Sequence, residues 1–175
     1  YNITTNHYKR VQKKGIYLTM SNKKLDKIDK TILETLQDRG RITNVELAKK
    51  AGISAPPCLR RVNALEDAGI IKGYHADIDS ASLGFGISVF ANVKLASQTD
   101  KDLRAFEELV DQWSLVRECY LVSGETDFLL RIVAKAWEEY QNFISNELTA
   151  APNVDSVRSS MVMRSAKNLP GIPIE

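Results

Sequence analysis

The sequence predicts an α+β chain in two modules, with three short helices in front and a β-α-β-β-α-β alternation behind. Three observations carry this. Over residues 21–73 the apolar residues recur at helical spacing between stops at Gly40, Gly52 and Gly69. From residue 87 onward, four short stretches alternate with period two and are separated by two helical stretches. The charge divides at the same place: residues 21–75 carry 11 Lys/Arg against 7 Asp/Glu, and residues 76–175 carry 9 against 15. A basic front and an acidic rear suit different partners.

In the front, Leu25, Ile28, Ile32, Leu33 and Leu36 fall on one helical face, with Asp26 near the positive end of the helix dipole. Thr43 and Glu46 are spaced as a capping box for a second helix. Val45, Leu47, Ala48 and Ala51 supply its apolar side, and Gly52 is a left-handed stop. The third helix enters through Ser54-Ala55-Pro56-Pro57. A proline disfavours helical backbone in the residue before it, so this helix is predicted to start at Pro57. The amides of Cys58 and Leu59 are then free for an outside acceptor such as a phosphate oxygen, with Ser54 beside them. Leu59, Val62 and Leu65 are predicted to point inward, which turns Arg60 and Arg61 outward. After Gly69, residues 70–78 read as a strand. Three helices and a strand make a winged helix-turn-helix, in which the last helix enters the DNA major groove and Arg pairs with guanine edges or phosphates. The competing reading of Arg60-Arg61 is an ordinary solvated face.

In the rear, strands are predicted over 87–95, 116–122 and 128–133, with a last one alternating through Val157, Ser159, Met161 and Met163. Helices are predicted over 100–113, capped by Thr99, and over 137–148. This order is the ferredoxin-like βαββαβ arrangement found in ACT-like domains, with two helices on one face of four antiparallel strands. The strands are apolar on both sides: Val89, Val93 and Leu95 against Phe90, and Leu129 and Val133 against Phe128, Leu130 and Ile132, whereas the helices cover only one face. A second copy packing on the other face by two-fold symmetry is expected. Gly124-Glu125-Thr126-Asp127 is a turn whose amides and Asp127 suit the carboxylate and ammonium of a small zwitterion. An ordinary polar hairpin turn is the competing reading.

Composition excludes several classes. No apolar run approaches the roughly 20 residues of a membrane span. The two cysteines, Cys58 and Cys119, are far apart and read as buried or half-buried thiols of a reducing cytoplasm. The two histidines, His7 and His75, lack metal-ligand spacing, and neither falls in the rear module. There is no Ser-His-Asp set, phosphate loop or metal cluster, so neither a catalytic residue nor a cofactor is expected. The expected division is an extension over 1–20, either upstream-translated ahead of Met20 or a basic arm; the helix-turn-helix over 21–78; a linker over 79–86; the βαββαβ domain over 87–168; and a tail over 169–175.

The stretches LDKIDKTILETLQDRGRITNVELAKKAGIS, PCLRRVNALEDAGIIKGY and ECYLVSGETDFLL resemble the Lrp/AsnC (leucine-responsive, feast/famine) family of transcription regulators, from Leu25 to Arg164. The resemblance implies a helix-turn-helix over Asn44–Asn63, a rear domain that dimerises and often builds octamers, and amino-acid effectors at rear-domain interfaces. By position, Gly124, Thr126, Asp127 and Phe128 fall in the family's effector-region turn. Residues 55–57 depart from relatives that show a single proline there, so Ala55 and Pro56 are assigned no base contact. The expected DNA-contacting set is Asn44, Lys49, Lys50, Ser54, Pro57, Arg60, Arg61 and Asn63. The expected partners are double-stranded DNA, further copies of the chain and an amino-acid-type effector. Two other classes compete: a ligand-sensing module acting on a partner protein, and an enzyme resembling the tetrapyrrole-modifying decarboxylases of this architecture.

Overall fold

A computed structural model of the chain describes residues 24–174. The predicted extension over 1–20 lies outside the described residues. Two compact units form: one runs to Ala76 and takes in the segment from Leu169 onward, and the other spans Asp77–Asn168.

The first unit holds α1 (Lys27–Asp38), α2 (Asn44–Ala51) and α3 (Ala55–Asp67). Asp26 caps α1, accepting from Asp29 N at 2.8 Å while the Asp29 carboxylate takes the Asp26 N–H. Thr43 and Glu46 form the same reciprocal box at α2. Gly52 ends α2 at φ 69°, backbone that a side chain would strain. The core is Ile32, Leu47, Ala48, Cys58, Val62 and Leu65, flanked by Leu25, Ile28, Leu33 and Leu36. Each large buried side chain contributes about 1.5–3 kcal/mol.

Four front-module expectations are corrected. The helix α3 begins at Ala55, not Pro57, and both prolines sit in its first turn. The Asn44 carboxamide grips the Ala55 carbonyl at 2.8 Å and Cys58 is fully buried, which together override the local preference before proline. Leu59 is 49% exposed, because the buried seam is Cys58, Val62 and Leu65, at i, i+4 and i+7. Val45 is exposed, lying about 200° around α2 from Leu47. The strand over 70–78 does not form: residues 72–79 are exposed and carry no regular secondary structure, and no strand among the described residues pairs with them.

The second unit is β1 (Ile87–Leu95), α4 (Asp100–Val110), β2 (Val116–Leu121), β3 (Phe128–Ala134), α5 (Trp137–Phe143) and β4 (Val154–Met161). The sheet order is β2-β3-β1-β4, antiparallel throughout. This is the ferredoxin-like arrangement expected from the order of elements. Val89, Ala91, Val93 and Leu95 of β1 and Phe128, Leu130 and Ile132 of β3 pack with Phe106, Trp113, Tyr140, Phe143 and Leu148. The intervening residues Phe90, Leu129 and Val133 are half-buried on the opposite side. The helix predicted over 137–148 widens to a π turn at Ile144–Leu148, where Thr149 donates to Ile144 O from both its N–H and its hydroxyl. The last strand runs 154–161, earlier than predicted, and leaves Met163 exposed. Among the described residues, no helix is long and apolar enough to cross a membrane.

Candidate functional site

The outward face of α3 is set by its seam. With Cys58, Val62 and Leu65 inward, Pro56, Leu59, Arg60 and Asn63 are exposed at i, i+3, i+4 and i+7. Ser54 and the α2 residues Lys49 and Lys50 are also exposed. An aliphatic side chain, a guanidinium and a carboxamide along one helix face are the chemistry that meets thymine methyls, guanine edges or phosphates, and adenine edges. Leu59 was missed as a surface residue because Leu looks like the better core residue than Cys. Small buried thiols behave as hydrophobes, and that was the available signal.

Arg61 does not share this face. Its Nη1 lies 2.7 Å from Asp29 Oδ1 and 2.8 Å from Asp26 Oδ2, the pair that caps α1. Asp29 is only 5% exposed. The Asp29 N–H, and after it Arg61, hold the Asp26 carboxyl below the ordinary carboxylate range. Arg61 thus fixes α3 against the start of α1. Its expected outward orientation is corrected, because at i+3 from Cys58 it stands on the rim of the seam.

Asn44 is likewise engaged, through its bond to Ala55 O. It braces the turn from α2 into α3. The open helix start expected at Cys58 and Leu59 is corrected too: Cys58 N–H bonds Ser54 O at 3.2 Å. Because the helix starts earlier, Cys58 already has an intrahelical partner. Of Ala55, Pro56 and Pro57, only Ala55 carries an N–H. Ser54 makes no side-chain cap bond and keeps its hydroxyl exposed, while Pro57 is half-buried.

The turn between β2 and β3 places Gly124 in the open and Thr126 half-buried. Asp127 Oδ2 accepts from Leu95 N at 2.7 Å, where β1 shifts register against β4. Asp127 N in turn bonds Val93 O at 2.9 Å. Asp127 therefore terminates the β1–β3 pairing, and one of its oxygens is committed to that work. Phe128 is fully buried against Phe106, with ring centroids 4.7 Å apart. Its side chain belongs to the core, because β3 begins there as expected and period two turns it inward, so of the expected effector-region residues Phe128 offers no side-chain surface. Among the described residues, no group of three or more His, Cys, Asp or Glu is arranged to hold a metal ion. Cys58 is buried and Cys119 is half-buried, its thiol pushed up to about 12 by burial and by Glu107 and Asp111.

Residues 25–72 match a winged helix-turn-helix DNA-binding family, and residues 88–172 match the Lrp/AsnC ligand binding domain. The leucine-responsive regulatory protein of Rhizobium meliloti is 52% identical over 144 residues, covering 82% of this chain and 92% of that protein. The Bkd operon transcriptional regulator of Pseudomonas aeruginosa is 40% identical over 141 residues, covering 81% and 92% respectively. A transcriptional regulator of Neisseria meningitidis, solved as a complex with L-Met, superposes with a TM-score of 0.81 at 35% identity, covering 86% of this chain and 97% of that one.

Proposed function

The chain belongs to the Lrp/AsnC family, and from that premise we propose that it is a DNA-binding transcription regulator whose assembly or DNA affinity responds to an amino acid or a related small molecule. The observation that carries the DNA reading is the exposed face of α3, where Leu59, Arg60 and Asn63 stand clear of the core. Arg60 and Asn63 read base edges or hold phosphates, Ser54, Lys49 and Lys50 hold phosphates, and Arg61, Asn44 and Pro57 set the helix that presents them. The N. meningitidis relative was solved with L-Met. An amino-acid effector for this chain follows by family, and Gly124, Thr126 and Asp127 are proposed to border its site, with Asp127 also holding the sheet end.

The working unit is proposed to be a homodimer, assembling further to an octamer. Phe90, Leu129 and Val133 lie on the sheet face opposite the core, and paired recognition helices match paired half-sites. An effector acts by favouring one assembly over another, since equal affinity for both shifts nothing. A non-enzymatic role is proposed, in keeping with relatives named as regulators, with the cytoplasm as its compartment. Retention of genomic DNA fragments on the purified protein, with and without a panel of amino acids, tests the reading. Selective retention altered by one or a few amino acids is expected. Retention of nothing at low salt would leave the alternative of a ligand-sensing module acting on a protein.

A further inference from the structure

Beyond β4 the chain returns to the first unit at Leu169. There the Gln37 carboxamide on α1 pairs with one backbone unit: Gln37 Nε2 donates to Ile172 O at 2.8 Å, and Ile172 N–H donates to Gln37 Oε1 at 3.1 Å. A primary amide offers a donor and an acceptor side by side, so it recognises peptide backbone much as a neighbouring strand does. Gly171 stands next to it at φ 72°, and a Cβ there would come within 2.0 Å of Gln37 Oε1. A side chain at 171 would therefore strain the backbone and push the carboxamide away. Leu25, Leu33, Leu36, Ile70, Ile71 and Tyr74 line the groove beside it. Ile172, Pro173 and Ile174 wall the same groove, Ile172 with 70% of its surface exposed and Ile174 half-buried. Pro173 between them has no N–H to leave unpaired.

We infer that α1 and residues 70–74 form a peptide seat for an extended Gly-apolar-Pro-apolar segment, and that residues 171–174 of the same chain are its occupant. Three separate features select the occupant: the backbone pairing to Gln37, the left-handed backbone at 171 that favours glycine beside the Gln37 carboxamide, and the apolar groove under Ile174. The seat joins α1 to the segment that follows α3, so an occupied seat helps hold the end of the recognition helix. It also closes a chain loop from Gln37 to Ile172 that contains the whole second unit. The seat itself does not depend on the DNA reading.

The test uses a chain ending after Asn168, its Leu and Ile methyls labelled, titrated with a peptide of residues 169–175. Saturable shifts at Leu33, Leu36, Ile70 and Ile71 are expected, with the Gly171→Ala peptide binding about tenfold more weakly. The intact chain should show no such shifts, because its seat is filled. Absence of saturable shifts, or equal binding of the Gly171→Ala peptide, would overturn the proposal. Should the shortened chain not fold, the intact Gln37→Ala chain carries the test. Its Ile172 amide should exchange about five- to tenfold faster while the α2 amides stay unchanged; an unchanged Ile172 rate would overturn it. Methyl contacts from Ile174 to Leu33 or Leu36 seen only between differently labelled chains would overturn the same-chain assignment.

Discussion

Replacing Arg60 by Ala is expected to weaken DNA binding by about 1–3 kcal/mol while leaving the melting temperature near the parent value, since Arg60 is exposed and anchors nothing in the core. Arg61→Ala should behave differently. It strips the counter-charge from Asp29, which is nearly buried, and should cost roughly 2–3 kcal/mol of stability in denaturant unfolding. Its DNA affinity should fall only as far as α3 is displaced. Asp127 separates in the same way: Asp127→Asn keeps an oxygen for Leu95 N–H, whereas Asp127→Ala leaves that donor without it and should lose about 1–2 kcal/mol of stability. The chemistry available at these positions was legible from residue type. Which way each side chain turns was not, because the difference between Arg60 and Arg61 is 100° of helix and depends on whether Cys58 or Leu59 faces the core.

At the scale of elements, the caps were the most legible feature. Thr43 with Glu46, Gly52 and Thr99 all do locally what local chemistry prescribes. The Asp26–Asp29 box was missed although the spacing was present, because Asp at the third helical position does the work usually assigned to Glu. The start of α3 and the strand over 70–78 were misjudged for one reason: each is decided beyond its own residues, by Asn44 for the helix and, for the strand, by a neighbouring edge that none of the described residues supplies. The α1 cap also carries a pH dependence. Asp26 titrates below its ordinary value of 3.8 in the folded chain, so its stabilising bonds are complete above that pH and are lost as pH falls through the lowered value. Thermal unfolding followed between pH 5 and pH 2 should show this loss, and Asp26→Asn should flatten that part of the profile.

For the whole molecule, the βαββαβ order was legible because period-two and period-3.6 stretches alternate cleanly, and the sheet order followed from it. The return of residues 169–174 to the first unit was not legible, since one Gln and one Gly far apart carry no local signal. The sheet face bearing Phe90, Leu129 and Val133 gives a prediction at this scale. Leu129→Asp with Val133→Asp should lower the assembly state measured by sedimentation while keeping the fold, since both side chains point away from the core. DNA affinity should drop with it, through loss of the paired half-site.

The most direct measurement is the affinity for a bound duplex fragment across a salt series, for the parent chain and for a variant carrying Arg60→Ala and Asn63→Ala together. Log affinity should fall linearly with log salt for both, and the variant should bind at least about tenfold more weakly throughout. Superimposable curves for the two proteins, or a parent affinity indifferent to salt, would contradict entry of α3 into the duplex.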